Sequence, residues 1–470
     1  MSIAFDQIPS SIRKPGKYFE FNTKLAVRTL PQNRQTLLLI GQRLTTGKVA
    51  EKIPVDVYSD TDAADYFGAG SILHLMAKAA VKANPYVAMT AIALNDAGGG
   101  VAAAGSVTIT GAATATGVLT LWIGYQKVEI AVTKDETADA VSVALNAAIN
   151  AAIGLPVTSV HTTGVATLTA RNKGTAGNGI TLAVEVTNFC VATTIVAMTS
   201  GATDPSISDA LNAIFSTPYN IFAAPWIDTT SLGLLKTYLD SVSNAIEQKP
   251  GVGVYGYIGA IGACTTLSGT LNSGRLCCAY LRGTRSMPCE LAAAFASMLA
   301  FEEDPARPLN TLELKYIHAP AIPDRLSRTE QETCLYNGVT PLEVGPDGVP
   351  QIVRAITTYT VDAAAVADIS MLDVTTIRTL DYVRKACRER IALRFPREKL
   401  NDRTVKSVRS ELVDVLKRLE ELEIVENVDA NIEGLLVERN GQDPNRLDAK
   451  IPTDVVNGLH VFAGRIDLIL

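Results

Sequence analysis

The chain has 470 residues, 47% of them hydrophobic and 19% charged, with a net charge of −6 and a pI near 5.5. That is enough apolar material for roughly three packed domains, and the acidic balance argues against a protein that coats nucleic acid. Residues 1–19 hold no apolar signal core, and no apolar run approaches about 20 residues, so neither a secretory leader nor a membrane span is expected.

In chain order, residues 1–20 read as an extended arm. Pro9 and Pro15 oppose helix, and Tyr18, Phe19 and Phe21 fall in a weakly alternating stretch, YFEF. TLLLIG, ending at Gly41, predicts a short buried strand. SILHLMAKAAVKA predicts a helix capped by Ser71, with Ile72, Leu75, Met76 and Ala79 on one face. Near Asn95 the composition shifts to Ala, Thr, Val and Gly, and it stays so to about Gly201. SVTITG, VLTLWIGYQKVEIAV, VATLTA and ITLAVEV read as strands, with one Ala-rich helix, TADAVSVALNAAINAA, among them. This stretch reads as a self-contained β-rich insertion.

From Ser206 onward strands and helices alternate, as an α/β layer with a partly parallel sheet requires. YNIFAAPW, GVGVYGYIG and RLCCAYL are the strands. SLGLLKTYLDSVSNAIE is a helix that turns Leu232, Leu235, Leu239, Val242 and Ile246 inward, and CELAAAFASMLAFEED is another. A hairpin is expected to turn at Pro346-Asp347-Gly348. The last hundred or so residues are richer in charge. Asp373 opens a helix that stops before Pro396, and a second, amphipathic helix runs from about Asp402 to Leu422. The chain closes on GLHVFAGRIDLIL, where Leu459, Val461, Ile466, Leu468 and Leu470 alternate with polar or small neighbours. A terminal strand this apolar needs a sheet to join, in its own chain or a neighbour's.

Chemistry is hard to find. Gly251, Gly253 and Gly256 match GxGxxG but lie within an apparent strand, whereas the dinucleotide fingerprint follows a strand and opens a helix. His74, His161, His318 and His460 are far apart and show no metal-ligand spacing. The cysteines, Cys190, Cys264, Cys277, Cys278, Cys289, Cys334 and Cys387, include no CxxC and read as reduced, mostly buried thiols made in a cytoplasm. Alternation sends Cys277 and Cys278 to opposite faces of a strand. Glu302-Glu303-Asp304 reads as a solvated helix end. No catalytic, cofactor-binding or metal-binding residue is assigned, and no cofactor is expected. One feature of interest is the basic helix: Arg378, Arg384, Lys385, Arg388, Arg390 and Arg394 face only Asp381 and Glu389. It is either a solvated face with i,i+4 pairs such as Asp381–Lys385 or a docking surface for an acidic partner.

Three stretches then carry a family resemblance. TLLLIGQRLTTGKV followed by YFGAGSILHLMAKAAVKANP, IPDRLSRTEQETCLYNGVTPLEVGPDGVPQIVRAITTY, and IPTDVVNGLHVFAGRIDLIL together resemble the tail sheath proteins of contractile-tailed bacteriophages, the Mu-like group in particular. The resemblance spans nearly the whole chain and rests on order and coverage rather than on an active-site motif. It implies a structural subunit that polymerises with itself as a helical sleeve around a tail tube protein. The sleeve contracts to drive the tube through the host envelope during genome ejection, and the terminal arms add strands to adjacent subunits. Baseplate and tail terminator proteins are implied partners; no nucleic acid and no membrane span are. The implied location is the virion tail, assembled in the host cytoplasm.

The expected fold is an α/β core (mixed, partly parallel sheet) with a β-rich inserted domain, an α+β C-terminal domain and extended terminal arms. The expected bounds are an arm at 1–20, a core at 21–94 and 202–350, an outer insertion at 95–201, an inner C-terminal domain at 351–457 and a terminal strand at 458–470. Arg378, Lys385 and Arg388 are the expected tube contacts. Tyr18, Phe19, Phe21, Leu459, Val461, Ile466, Leu468 and Leu470 are the expected arm contacts. The main rival is a dinucleotide-dependent enzyme on the α/β segment, for which nucleotide bound to purified protein is the discriminating observation. Another virion component, such as a tube or baseplate protein, is the second rival; long hollow sleeves in negative stain separate it from a sheath.

Overall fold

The computed structural model describes residues 13–19 and 30–469. Phe21 and Leu470 lie outside the described residues, as does most of the N-terminal arm. The described chain divides into two compact units: a larger one containing Asn33–Tyr382 and the chain from Val455 on, and a smaller one built on Val383–Asp454.

The larger unit is built on a sheet that begins with β1 (Thr36–Gln42), β2 (Pro54–Asp56) and β3 (Ala88–Leu94). Between β2 and β3 lie helices α1 (Asp60–Phe67) and α2 (Ile72–Ala83). Ser71 caps α2, its Oγ accepting from the His74 N–H at 3.1 Å. The predicted apolar stripe of α2 is wider than one face: nine of its residues are buried, from Ile72 round to Ala83.

After β3 the chain leaves the sheet. It builds β4 (Ala102–Thr110), β5 (Gly117–Ile123), β6 (Gln126–Val132), α3 (Ala138–Ala151), β7 (Val157–Thr162), β8 (Val165–Lys173), β9 (Leu182–Val186) and β10 (Ala192–Thr199). These strands form one antiparallel sheet ordered β10-β4-β8-β7 and a second ordered β6-β5-β9. The long run VLTLWIGYQKVEIAV is a hairpin and not one strand: Ile123 pairs with Gln126, and the loop turns on Gly124 at φ +60°. The apolar cluster of this region is continuous with that of the main sheet, running from Leu119, Val141 and Leu168 to Leu37 and Phe295.

The chain returns through α4 (Ser208–Ala213) to β11 (Ile221–Ala223), α5 (Thr229–Ser243), β12 (Val252–Tyr257), α6 (Ile261–Leu271), β13 (Leu276–Tyr280), α7 (Pro288–Phe301), α8 (Arg328–Tyr336), β14 (Thr340–Val344) and β15 (Pro350–Ile352). The completed sheet has eight strands ordered β15-β14-β13-β12-β11-β1-β3-β2. The six inner strands are parallel, and both edge strands pair antiparallel. Period-two alternation divides its core into two layers. Leu37, Leu39 and Cys277 face one cluster, with α2 and α7; Leu38, Ile40 and Cys278 face the other, with α5 and α6. The β14–β15 hairpin turns over Gly345–Val349, with Gly348 at φ +77°. α5 ends at Ser243, so Ile246 lies beyond it and is exposed, against the inward position its spacing predicts.

Helix α7 is buried along almost its whole length because its Ala-rich surface lets α2 approach, with Ser297 Oγ donating to Ala80 O at 2.8 Å. It also buries Glu290, whose Oε2 accepts from the Met287 N–H at 2.9 Å and so satisfies one of the helix's free amide groups. Desolvation pushes the Glu290 carboxyl up to about 7 from an ordinary 4.5.

Next come α9 (Val374–Arg394), α10 (Asp402–Glu421), α11 (Val428–Asn431) and the two-stranded hairpin β16 (Leu436–Arg439) and β17 (Leu447–Lys450). The division between the compact units falls inside α9, at Tyr382/Val383, and not near residue 350. Ile352, Ala355, Val374 and Ile377 are the reason, since all belong to the core of the larger unit.

A testable consequence concerns pH. A carboxyl with a raised folded-state pKa binds more protons folded than unfolded, so its contribution to stability falls as pH rises between about 4.5 and 7. Glu290→Gln keeps the acceptor for the Met287 amide and removes the titration. We expect it to flatten the stability–pH curve across that window and to stabilise the protein at neutral pH, with an upper bound on the order of 3 kcal/mol. Denaturant melts at several pH values measure this, and an unchanged slope would overturn it.

Candidate assembly surfaces

In an open parallel α/β sheet, ligands bind outside the carboxyl ends of the strands, where the strand order reverses. Here the reversal lies between β1 and β11. A knot around Asp96 joins the end of β1 to the inserted region. Gln42 Nε2 donates to Asp96 Oδ1 and to Lys173 O, both at 2.7 Å. Asn172 Nδ2 donates to Asp96 Oδ1 and to Arg43 O, both at 2.9 Å, and the Lys173 N–H donates to Asp96 Oδ2 at 2.9 Å. Hydrogen bonds thus tie the insertion to the carboxyl end of β1, while a cleft of about 280 Å³ lined by Pro225, Ile227, Tyr257 and Gly259 stays open past β11 and β12.

The glycine motif is explained by packing. A Cβ on Gly256 would stand 2.2 Å from Pro288 O, and one on Gly253 would stand 2.7 Å from Leu276 Cδ2. Both glycines sit inside β12 and admit close neighbours, as their position within a strand predicts. All seven cysteines are buried. The histidines serve local contacts: His74 Nε2 pairs with Asp60 at 2.8 Å, His161 Nε2 with Asp139 at 2.9 Å, His318 Nδ1 accepts from the Arg285 N–H at 3.2 Å, and His460 Nδ1 accepts from Asn310 at 3.1 Å. Among the described residues, no helix is long and apolar enough to cross a membrane.

The basic helix needs correction at its first candidate. Arg378 is 8% exposed and does not lie on an outer flank. Its Nη2 donates to Glu302 O at the C-terminus of α7, where a cation meets the negative end of the helix dipole. Burial draws its pKa down to about 10, while Glu302 and Asp304 oppose the fall. Asp381 is held by Arg275, with Nη1–Oδ2 at 2.9 Å and Nη2–Oδ1 at 3.0 Å.

In the smaller unit, Arg390 is buried and reaches Asp414 at 2.7 Å and Glu411 at 3.1 Å; Arg394 reaches Glu411 at 3.5 Å. Lys385 is half-buried and its Nζ donates to Gln32 O at 2.7 Å, while Arg388 is exposed. Much of the charge that reads as a docking face in sequence is internal wiring. Amphipathic α10 supplies its acidic partners from one side and buries Val408, Leu412, Val415, Leu416 and Leu419 on the other.

The apolar termini are exposed. Tyr18 and Phe19 face solvent, the latter at 90%. The C-terminal segment 458–469 belongs to none of the four sheets. Leu459, Val461, Ile466 and Leu468 are between 79% and 98% exposed. The alternation is present at the segment's root but inverted relative to its own subunit: His460 turns in while Leu459 and Val461 turn out. The smaller unit presents β16–β17, which among the described residues pairs only with itself. A two-stranded hairpin is marginal alone, and among the described residues both edges of this one are unpaired.

Such a molecule is a part for building with. Residues 200–358 match the phage tail sheath protein central domain, and residues 366–469 match the phage tail sheath C-terminal domain. Over the full length of both chains, the protein is 34% identical to the Mu-like prophage FluMu tail sheath protein of Haemophilus influenzae. The chain belongs to the phage tail sheath family, on its Mu-like side. It is a virion protein of the contractile tail.

Solved structures of low identity share the fold. The sheath tail protein of Desulfitobacterium hafniense matches with a TM-score of 0.53 at 15% identity, covering 94% of this chain and 97% of that one. The sheath tail protein Lin1278 of Listeria innocua matches at 0.51 and 14%, covering 92% and 94%. The helical sheath of the anti-feeding prophage in its contracted state matches at 0.50 and 11%, covering 98% and 99%.

Removing the buried guanidinium takes away the cation that Glu411 and Asp414 share, leaving Arg394 at 3.5 Å from Glu411. Arg390→Met should destabilise the smaller unit by roughly 2–4 kcal/mol, toward the lower end because both carboxylates keep some solvent. Calorimetry should show an earlier transition, and a melt identical to the native protein's would refute the assignment.

Proposed function

We propose that the protein polymerises as a helical sleeve around a tail tube and contracts to drive that tube through the host envelope. The carrying observation is the exposed apolar run from Leu459 to Leu468, on a chain whose two-stranded sheet pairs, among the described residues, only with itself. Each subunit lends its terminal arms to sheets of its neighbours, with Tyr18, Phe19 and Phe21 at one end and Val461, Ile466, Leu468 and Leu470 at the other, where Leu459 stands at the root of the arm. Ladder hydrogen bonds of about 1 kcal/mol each net add up over a strand, and burial of the apolar row adds to them. Joints of this kind persist while the folded units turn as rigid bodies. The protein acts as a structural part and not as an enzyme, and the energy for contraction resides in its interfaces.

The finer architecture follows the same reading. The β-rich region at 95–201 projects outward as a domain. The α+β C-terminal region faces the tube together with the α/β core, and the sleeve ends meet baseplate and tail terminator proteins. Lys385 and Arg388 contact an acidic tube surface; Arg378 instead supports α7 from within.

Two experiments test this reading. Deleting residues 461–470 should leave a folded protein that forms no sleeves in negative stain; sleeves from the truncated chain would exclude the C-terminal arm. Reversing Lys385 and Arg388 to glutamate should weaken assembly on tubes more than self-assembly, and added salt should mimic the reversal because exposed charges are screened. Exposed pairs contribute roughly 0.2–1 kcal/mol each, so the effect depends on repetition along the sleeve. Equal assembly of variant and native chains on tubes would rule out the contact.

A further inference from the structure

The root of the C-terminal arm has a built seat on its own subunit. Gly458 lies so close to Pro308 that a Cβ would stand 2.7 Å from its Cγ. Two residues later His460 turns inward. Its Nδ1 accepts from Asn310 Nδ2 at 3.1 Å, which places the proton of the neutral ring on Nε2, 3.7 Å from Asp373 Oδ1. Asp373 is clamped in turn by Arg354, with Nε–Oδ1 at 2.9 Å and Nη2–Oδ2 at 2.7 Å. Burial, with Arg354 nearby, lowers the His460 pKa from its ordinary value against the opposing pull of Asp373. Beyond this seat every described residue, from Val461 to Ile469, is exposed.

We propose that Gly458–His460 is the fixed post of the arm: it stays on the subunit that owns it, and the strand given to a neighbour begins at Val461. The proposal rests on the arm-exchange reading above and specifies where exchange starts. His460 is a positioning residue. A held root lowers the ordering cost of docking the strand. It also sets register, because a slip of one residue would turn the apolar set to the wrong face of the acceptor sheet. Residues 461–470, extended at about 3.3 Å each, reach roughly 33 Å from the post.

A cross-link tests the proposal directly. Asn310→Cys combined with His460→Cys is oxidised before assembly. Sleeves should still form, and their subunits should run as monomers on a non-reducing gel with the bond mapped within one chain. A ladder of linked subunits would overturn the proposal, and so would assembly blocked by oxidation and restored by reduction.

A second series does not depend on the disulfide. His460→Phe keeps a ring but loses the acceptor, and should raise the critical concentration for sleeve assembly about fivefold, the weight of one neutral hydrogen bond. His460→Gln, which can accept from Asn310 again, should restore most of it. Equal critical concentrations for the native chain and both variants would overturn the post. Sleeves from a chain lacking 461–470 would instead sink the arm reading on which it rests.

Discussion

The half-buried carboxylate of Asp96 is the constraint on which the larger unit turns. It accepts from Gln42, Asn172 and the Lys173 amide, so one side chain ties the end of β1 to the start and the far side of the insertion. Hydrogen bonds to a charged acceptor are the strong ones, and several converging on one group resist hinging. The knot sits where a doubly wound sheet would receive a ligand. The glycines of β12, which resemble a nucleotide fingerprint, admit a helix and a neighbouring strand.

Rigidity suits a subunit that must transmit force. The paired helices α2 and α7 approach closely through alanine and serine, and the insertion shares an apolar cluster with the main sheet. Close-packed interiors transmit strain with little compression.

How far the sequence could be read depended on the range of the interaction. Helix caps at Ser71 and the turn at Gly348 follow from a few neighbouring residues, and each is found where local chemistry puts it. Alternation through β13 correctly sends Cys277 and Cys278 to opposite layers. The partners of the basic helix were not legible, because charge counted along a sequence has no partner attached. Arg378 meets the end of α7, Arg390 meets α10 and Asp381 meets Arg275, all through contacts far from i,i+4.

By itself the sequence determined the alternating strands and helices, the low-charge insertion, the apolar chain end and the family resemblance, because periodicity and composition are properties of neighbouring residues. Tertiary structure alone decided that the apolar end is turned out and its histidine in, that the end of β1 is tied to the insertion, and that Arg378, Arg390 and Arg394 find internal partners. These outcomes depend on which distant groups share a space. Leu459 and His460 are adjacent in sequence, and only the placement of Asn310 and Asp373 settles which of them faces its own subunit.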